Sequence, residues 1–128
     1  RLTLEKRGAI NWINGDRSTF LSQYNVKHRP DGLITLPGGN VIAIETERRL
    51  KTKARYQSIM ASHLIARTER HWIYVFYVVP DEQKKRALRV LFDSISHVIV
   101  KGQHITLEEK HRNVFRIHTL DELKNLDL

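Results

Sequence analysis

The stretch His28–Tyr56, HRPDGLITLPGGNVIAIETERRLKTKARY, decides the fold because it holds a strand, a glycine turn, a second strand and the start of a basic helix. In the second strand, the side-chain period of two puts Ile42 and Ile44 on one face and Glu45 and Glu47 on the other. At ~3.3 Å per residue the two carboxylates stand roughly 7 Å apart and repel by about 2 kcal/mol at an effective dielectric of ~20. A positive group is therefore expected between them.

The turn determines whether a third carboxylate, Asp31, joins this face. A three-residue loop of residues 38–40 sets Asp31 opposite Glu47 and collects the aliphatic side chains on the other face. An even loop would swap every side chain of one strand and mix Asp31 with the isoleucines. The odd loop predicts that Asp31, Glu45 and Glu47 lie together, unless a bulge at Gly32 alters the alternation.

Three convergent carboxylates are the hard oxygen ligands that suit Mg²⁺ or Mn²⁺. Such a metal can activate water and stabilise charge on a phosphoryl group. The basic residues just downstream are placed to hold a phosphate backbone. They are Arg48, Arg49, Lys51, Lys53 and Arg55.

Pro30-Asp31, the glycine turn and Glu45-Thr46-Glu47 resemble the PD-(D/E)xK restriction-endonuclease-like superfamily, in the form with a glutamate in place of the usual lysine. With the following Arg-rich helix and Arg55-Tyr56, the chain is most similar to the MOBC class of plasmid mobilisation relaxases and their replication-relaxation relatives. The resemblance covers His28 to about Leu64, and the rest only by element order.

This resemblance implies an α/β fold with a restriction-endonuclease-like core, a central mixed β-sheet flanked by helices. It implies a Mg²⁺- or Mn²⁺-dependent DNA endonuclease that nicks one strand at a plasmid transfer origin, with an accessory mobilisation or coupling protein as a further partner. Asp31 and Glu45 would bind metal, and Glu47 would bind a second metal or orient the attacking water. Without the usual lysine, the metal or a residue among Arg48, Arg49, Lys51 and Lys53 must stabilise the pentavalent charge.

Three further residues are weaker candidates. Glu5 is one by resemblance alone, on a predicted first helix from Leu2 to about Ile13, and its ordinary reading is a solvated face. His28 precedes Asp31 by three residues, and Tyr56 is considered because most relaxases use a tyrosine nucleophile. A hydrogen-bonded structural histidine and a core tyrosine are the stronger interpretations. Among the other histidines, only His104 and His111 are candidates.

Composition bounds the function. The chain has 128 residues, with 22 basic and 14 acidic side chains and a net charge of +8, which favours a polyanionic partner. The absence of cysteine excludes disulfides and thiolate zinc sites, and it fits the cytoplasm. Residues 1–128 are expected to form a single nuclease-like domain, a fragment of a longer protein with an upstream DNA-binding domain. The sequence contains no long uncharged apolar run, so no membrane-spanning segment is predicted.

The remaining elements follow from periodicity and caps. A helix is predicted from about Thr52 to Ala66 and a strand buried on both faces from His71 to Val79. The other predictions are a helix capped by Asp81 and reaching about Ser96, strands at 98–100 and 114–118, a loop at 103–110 with an extended piece around Ile105, and a capping box at 119–122 that opens a terminal helix. Residues 17–26 fit either a short helix or a packed loop.

Two alternative functions remain open from the sequence. One is a transposase-end or restriction-type nuclease with the same fold. The other is a non-catalytic DNA-binding domain, in which Glu45 and Glu47 merely pair with Arg48, Arg49 or Lys53.

Overall fold

The computed structural model describes the backbone of residues 11–14 and the whole of residues 28–125. The strands in these ranges are β1 (Asn11–Asn14), β2 (Gly32–Thr35), β3 (Val41–Thr46), β4 (Tyr74–Val79), β5 (His97–Val100), β6 (Gln103–Thr106) and β7 (Phe115–Thr119). The helices are α1 (Lys53–Thr68), α2 (Glu82–Ser94), α3 (Glu109–Arg112) and α4 (Leu120–Lys124).

The main sheet has the order β1-β2-β3-β4-β7. Strands β1, β2 and β3 are antiparallel to their neighbours in this group, while β3, β4 and β7 run parallel. Strands β5 and β6 form a separate antiparallel hairpin that packs on α1. The predicted α/β class, with a mixed sheet flanked by helices, is confirmed.

The sheet separates two apolar layers. On one side, Leu33, Ala43, Val75 and Tyr77 pack with the buried faces of α1 and α2. On the other side the buried residues come mainly from β2, β3 and β4, and Leu123 of α4 joins them. Strand β4 is thus covered on both faces, as its continuous apolar run predicts.

The β2–β3 hairpin confirms the predicted faces but not the predicted pairing. Thr35 pairs with Val41 and Ile34 with Ile42, so residues 36–40 form a five-residue loop. A shift of two residues leaves every side chain on the same face. Gly39 adopts a positive φ of 92°, which accounts for a glycine at this position.

Local chemistry fixes the helix starts as predicted. The Thr52 side chain accepts a hydrogen bond from the Arg55 N–H at the start of α1, and Asp81 does the same for Lys84 in α2. Thr119 and Glu122 form the capping box of α4.

Two element predictions are wrong. Residues 11–13, expected at the end of a first helix, belong to β1, because Trp12 pairs with Ile34 of β2 across the sheet. In the expected loop at 103–110, the predicted extended piece around Ile105 is present as β6, but a short helix, α3, begins at Glu109 where loop was predicted. Glu5 and the segment 17–26 lie outside the described residues. None of the described helices is long and apolar enough to cross a bilayer.

Candidate functional site

The two glutamates at the carboxyl end of β3 point to the same side of the sheet, as predicted. Glu45 and Glu47 are each only 5% exposed and both accept hydrogen bonds from side chains of α1. Thr46, between them, is exposed on the opposite side. Strand alternation therefore buries two carboxylates beneath α1, where each needs a partner.

Asp31 does not join them, and the prediction that it shares their face is wrong. Its carboxylate accepts hydrogen bonds from the backbone N–H of Thr46 at 2.7 Å and from the Thr46 hydroxyl at 2.9 Å. The reason is local, because β2 begins only at Gly32 and the chain bends at Asp31. Strand alternation stops there, and the carboxylate satisfies the free N–H of Thr46.

Glu45 is held by two histidines. Its Oε2 lies 2.5 Å from Nε2 of His28 and 2.8 Å from Nε2 of His63. Burial alone would raise the pKa of Glu45, but the hydrogen bonds from these two histidines, together with their electrostatic interaction with the carboxylate, lower it to about 2. The carboxylate is therefore ionised, and an ionised carboxylate only accepts hydrogen bonds. Both Nε2 atoms must donate their protons to it.

The Trp72 indole fixes the tautomer of His63. Trp72 Nε1–H, which can only donate, lies 3.2 Å from Nδ1 of His63. Nδ1 must therefore hold a lone pair, and the single proton of neutral His63 sits on Nε2, directed at Glu45. His63 is completely buried, and burial lowers its pKa in spite of the opposing effect of Glu45. The lowered pKa favours the neutral form of His63.

Glu47 has its own partners. The Lys51 ammonium contacts its Oε1 and the Tyr56 hydroxyl donates to its Oε2. The same hydroxyl accepts the Lys51 backbone N–H at 3.1 Å, and the ammonium lies 5.7 Å from the centre of the Tyr56 ring. Lys51 is thus the positive group expected beside the glutamates, and it is fixed by Tyr56.

Tyr56 has the position of a core residue. Its side chain is completely buried, between the rings of Tyr77 and Phe92 and below Glu47. Burial, together with the hydrogen bond to Glu47, raises the pKa of its hydroxyl well above the usual value. A protonated hydroxyl that is enclosed in this way is not placed to attack a phosphodiester.

The other predicted DNA-binding residues lie at the surface. Arg48, Arg49, Lys53 and Arg55 are exposed, on the loop after β3 and the first turn of α1. Arg55 lines a cavity of about 330 Å³ together with Lys101 from the β5–β6 turn and His28. Of the described residues that line this cavity, none is acidic.

The all-oxygen metal site that the resemblance implies does not fit the arrangement of the described residues. The three carboxylates do not converge, and the group whose potential ligand atoms do lie within 4.8 Å of one another is His28, Glu45 and His63. Imidazole nitrogens suit zinc or iron better than Mg²⁺. In addition, a metal-bound histidine donates a hydrogen bond from its second ring nitrogen, whereas Nδ1 of His63 accepts a hydrogen bond from Trp72.

His63 and Trp72 were not identified from the sequence. A usable signal was present, because His63 follows Tyr56 by seven positions and Met60 by three, which puts it on the apolar face of α1. A histidine there needs a buried partner. The other two candidate histidines have structural contacts. His104 stacks on His97, and His111 accepts the Glu108 N–H at the start of α3.

Comparisons of the chain with protein-family models, with curated proteins and with solved structures gave no match.

Proposed function

We propose that this domain is a DNA endonuclease of the relaxase type, which cleaves one strand at a plasmid transfer origin. The observation that carries the proposal is the pair of buried glutamates at the carboxyl end of β3. One of them orients His28 beside a cavity with basic walls, and the other holds a lysine. The net charge of +8 supports a polyanionic substrate.

The restriction-endonuclease-like core is part of the same proposal. It is supported by the mixed sheet, in which the strand with the Glu45-Thr46-Glu47 sequence pairs with an antiparallel hairpin partner on one side and a parallel strand on the other. It is supported further by α1, which follows this strand and covers its glutamate face.

His28 is the residue suited to move a proton. Because Nε2–H is donated to ionised Glu45, neutral His28 has its lone pair on Nδ1, and no hydrogen bond occupies this atom in the described structure. The ring is about one fifth exposed and lines the basic cavity. In the proposed reaction Nδ1 removes the proton from the attacking water, and Glu45 stabilises the resulting imidazolium. The water oxygen bonds to phosphorus as the bond from phosphorus to the leaving oxygen breaks, and the leaving oxygen takes a proton from solvent.

Lys51 is proposed to stabilise the charge that develops on the phosphate. Among the four candidates left open by the sequence, it is the one whose cationic group contacts Glu47. The Lys51 side chain is about one third exposed, so an anion can approach it from solvent. Lys51 would thus supply the positive charge that lysine provides in the common form of the PD-(D/E)xK motif, where this chain has Glu47.

The resemblance implies Mg²⁺ or Mn²⁺, but the three carboxylates that would bind such an ion do not lie together in the described residues. Dependence on a metal is read directly in the test. Supercoiled plasmid with and without the transfer origin is incubated with the protein in Mg²⁺, in Mn²⁺ and in EDTA, and nicked circles are counted.

The variants are His28→Gln and Glu45→Gln, with Glu82→Gln as the matched control at an exposed glutamate of α2 that does not line the cavity. We expect nicking that requires the origin, that falls by at least ~100-fold in the first two variants, and that is unchanged in the control. Cleavage without origin preference would indicate the restriction-type or transposase-type nuclease. Cleavage that survives Glu45→Gln would refute the assigned centre.

The non-catalytic DNA-binding domain is the second candidate. It is favoured by one observation, namely that Glu47 is already paired with Lys51 and Tyr56, as in a purely structural ion pair. This function predicts DNA binding without cleavage in every metal tested, and binding that is insensitive to His28→Gln.

A further inference from the structure

The cavity beside His28 has the composition of an anion site. Arg55 and Lys101 supply two cations from separate elements, and Ser58 and Ser62 add hydroxyl groups. Ser62 also accepts the backbone N–H of His28 at 3.0 Å, which anchors the histidine at the cavity wall. We propose that this cavity binds a phosphate group of the DNA strand.

The two elements that carry these cations are tied together. The Gln57 side chain of α1 donates a hydrogen bond to the His97 carbonyl of β5 at 2.8 Å, and this ties the β5–β6 hairpin to the helix. The bond lies two residues along α1 from Arg55. Because the helix and the hairpin are already joined, an anion that binds between them does not have to bring the two elements together.

The backbone of Lys101 adds an independent argument. Lys101 has a φ of 50°, and Gly102 beside it has a φ of 78°. The left-handed conformation is unfavourable for most residues that carry a side chain, and asparagine or glycine adopts it more readily. A lysine at this turn position is unfavourable for the fold, which fits a role for its ammonium group in binding.

A second cavity, of about 520 Å³, continues the first. It shares Ile65 and Lys101 with the first cavity, and its lining includes Arg67 and Lys110 together with the acidic Glu69. Arg67 lies twelve positions after Arg55, which corresponds to ~18 Å along α1. A strand bound at the first cavity can thus pass Lys101 and place its next phosphates near these two cations.

This inference rests on the proposed function, since it places the DNA backbone beside the histidine that Glu45 orients. Its test is the salt dependence of binding. Each phosphate contact contributes about 0.9 to the slope of log K against log salt for duplex DNA and about 0.7 for single strands. Fluorescence anisotropy with single-stranded and duplex oligonucleotides gives this slope.

The test variant combines Arg55→Gln with Lys101→Asn, where asparagine suits the left-handed turn. The control combines Arg86→Gln with Arg89→Gln, two exposed arginines of α2 that line neither cavity. Both double variants remove two positive charges. All proteins carry Glu45→Gln so that no DNA is cleaved, and the series is repeated in EDTA with Glu45 intact.

We expect the slope to decrease by about 1.8 on duplex or about 1.4 on single-stranded DNA in the cavity variant, and by clearly less in the control. Equal slopes in the two variants, or no DNA binding by the parent protein, would overturn the inference. Failure of the proposed function has a different signature, because it is an absence of plasmid nicking while the slopes still differ.

Discussion

Two neighbouring tyrosines are predicted to respond in opposite directions to the loss of one hydroxyl. The Tyr77 hydroxyl is buried and makes no hydrogen bond to any described residue, whereas the Tyr56 hydroxyl bonds both Glu47 and the Lys51 N–H. An unsatisfied buried polar group costs about 1–3 kcal/mol. Tyr77→Phe should therefore raise the free energy of unfolding by about 1–2 kcal/mol.

Tyr56→Phe removes a hydrogen bond to a charged group, a contribution of about 1.5–3 kcal/mol, and should lower the free energy of unfolding by that amount. The rings lie 6.4 Å apart and the substitution is the same, so each variant controls for the other. Urea unfolding followed by circular dichroism measures both. If Tyr77→Phe destabilises the protein by more than about 1 kcal/mol, its hydroxyl has a partner in solution and the reasoning fails.

Three further predictions concern Glu45, His63 and Lys101. The folded-state pKa of Glu45 is lowered from 4.5 to about 2, so its ionised form contributes about 3 kcal/mol above pH 4.5, and this is lost as the pH falls towards 2. Urea unfolding from about pH 5 downwards should show this loss relative to Glu45→Gln; a difference that does not vary with pH would contradict it. Nitrogen NMR shifts of His63 should show the proton on Nε2, with a weaker preference in Trp72→Phe; a proton on Nδ1 would exclude the assigned tautomer. Lys101→Asn should raise the free energy of unfolding by up to about 1 kcal/mol, and with it the midpoint of thermal unfolding, because the left-handed backbone favours asparagine. A lowered midpoint would show that Lys101 stabilises the turn.

The sequence predicted those parts of the fold that local chemistry decides. The side-chain period of β3 put Glu45 and Glu47 on one face even though the pairing was displaced by two residues, because an even displacement preserves the faces. Asp81 and Thr119 were recognisable as caps because a cap depends only on its next three residues. Thr52 was predicted only as the approximate start of its helix.

The parts that were not predicted depend on contacts between distant residues. Residues 11–13 form a strand because β2 offers a free edge, which the periodicity of the segment itself does not reveal. Asp31 departs from the strand pattern at a bend, where alternation no longer applies. The histidine contacts of Glu45 join residues that are 17 and 18 positions apart, on a loop, a strand and a helix.

The direction of hydrogen-bond donation in the buried network distinguishes the two histidines by which ring nitrogens are already hydrogen-bonded. Trp72 donates to His63, and His63 donates to Glu45, so both nitrogens of the inner ring are committed. His28 donates to the same carboxylate oxygen. Its Nδ1 is the one ring nitrogen of the two histidines without a hydrogen bond in the described structure. The inner histidine therefore positions the carboxylate. The outer histidine, about one fifth exposed, is the one of these two rings that lines the cavity with Arg55 and Lys101.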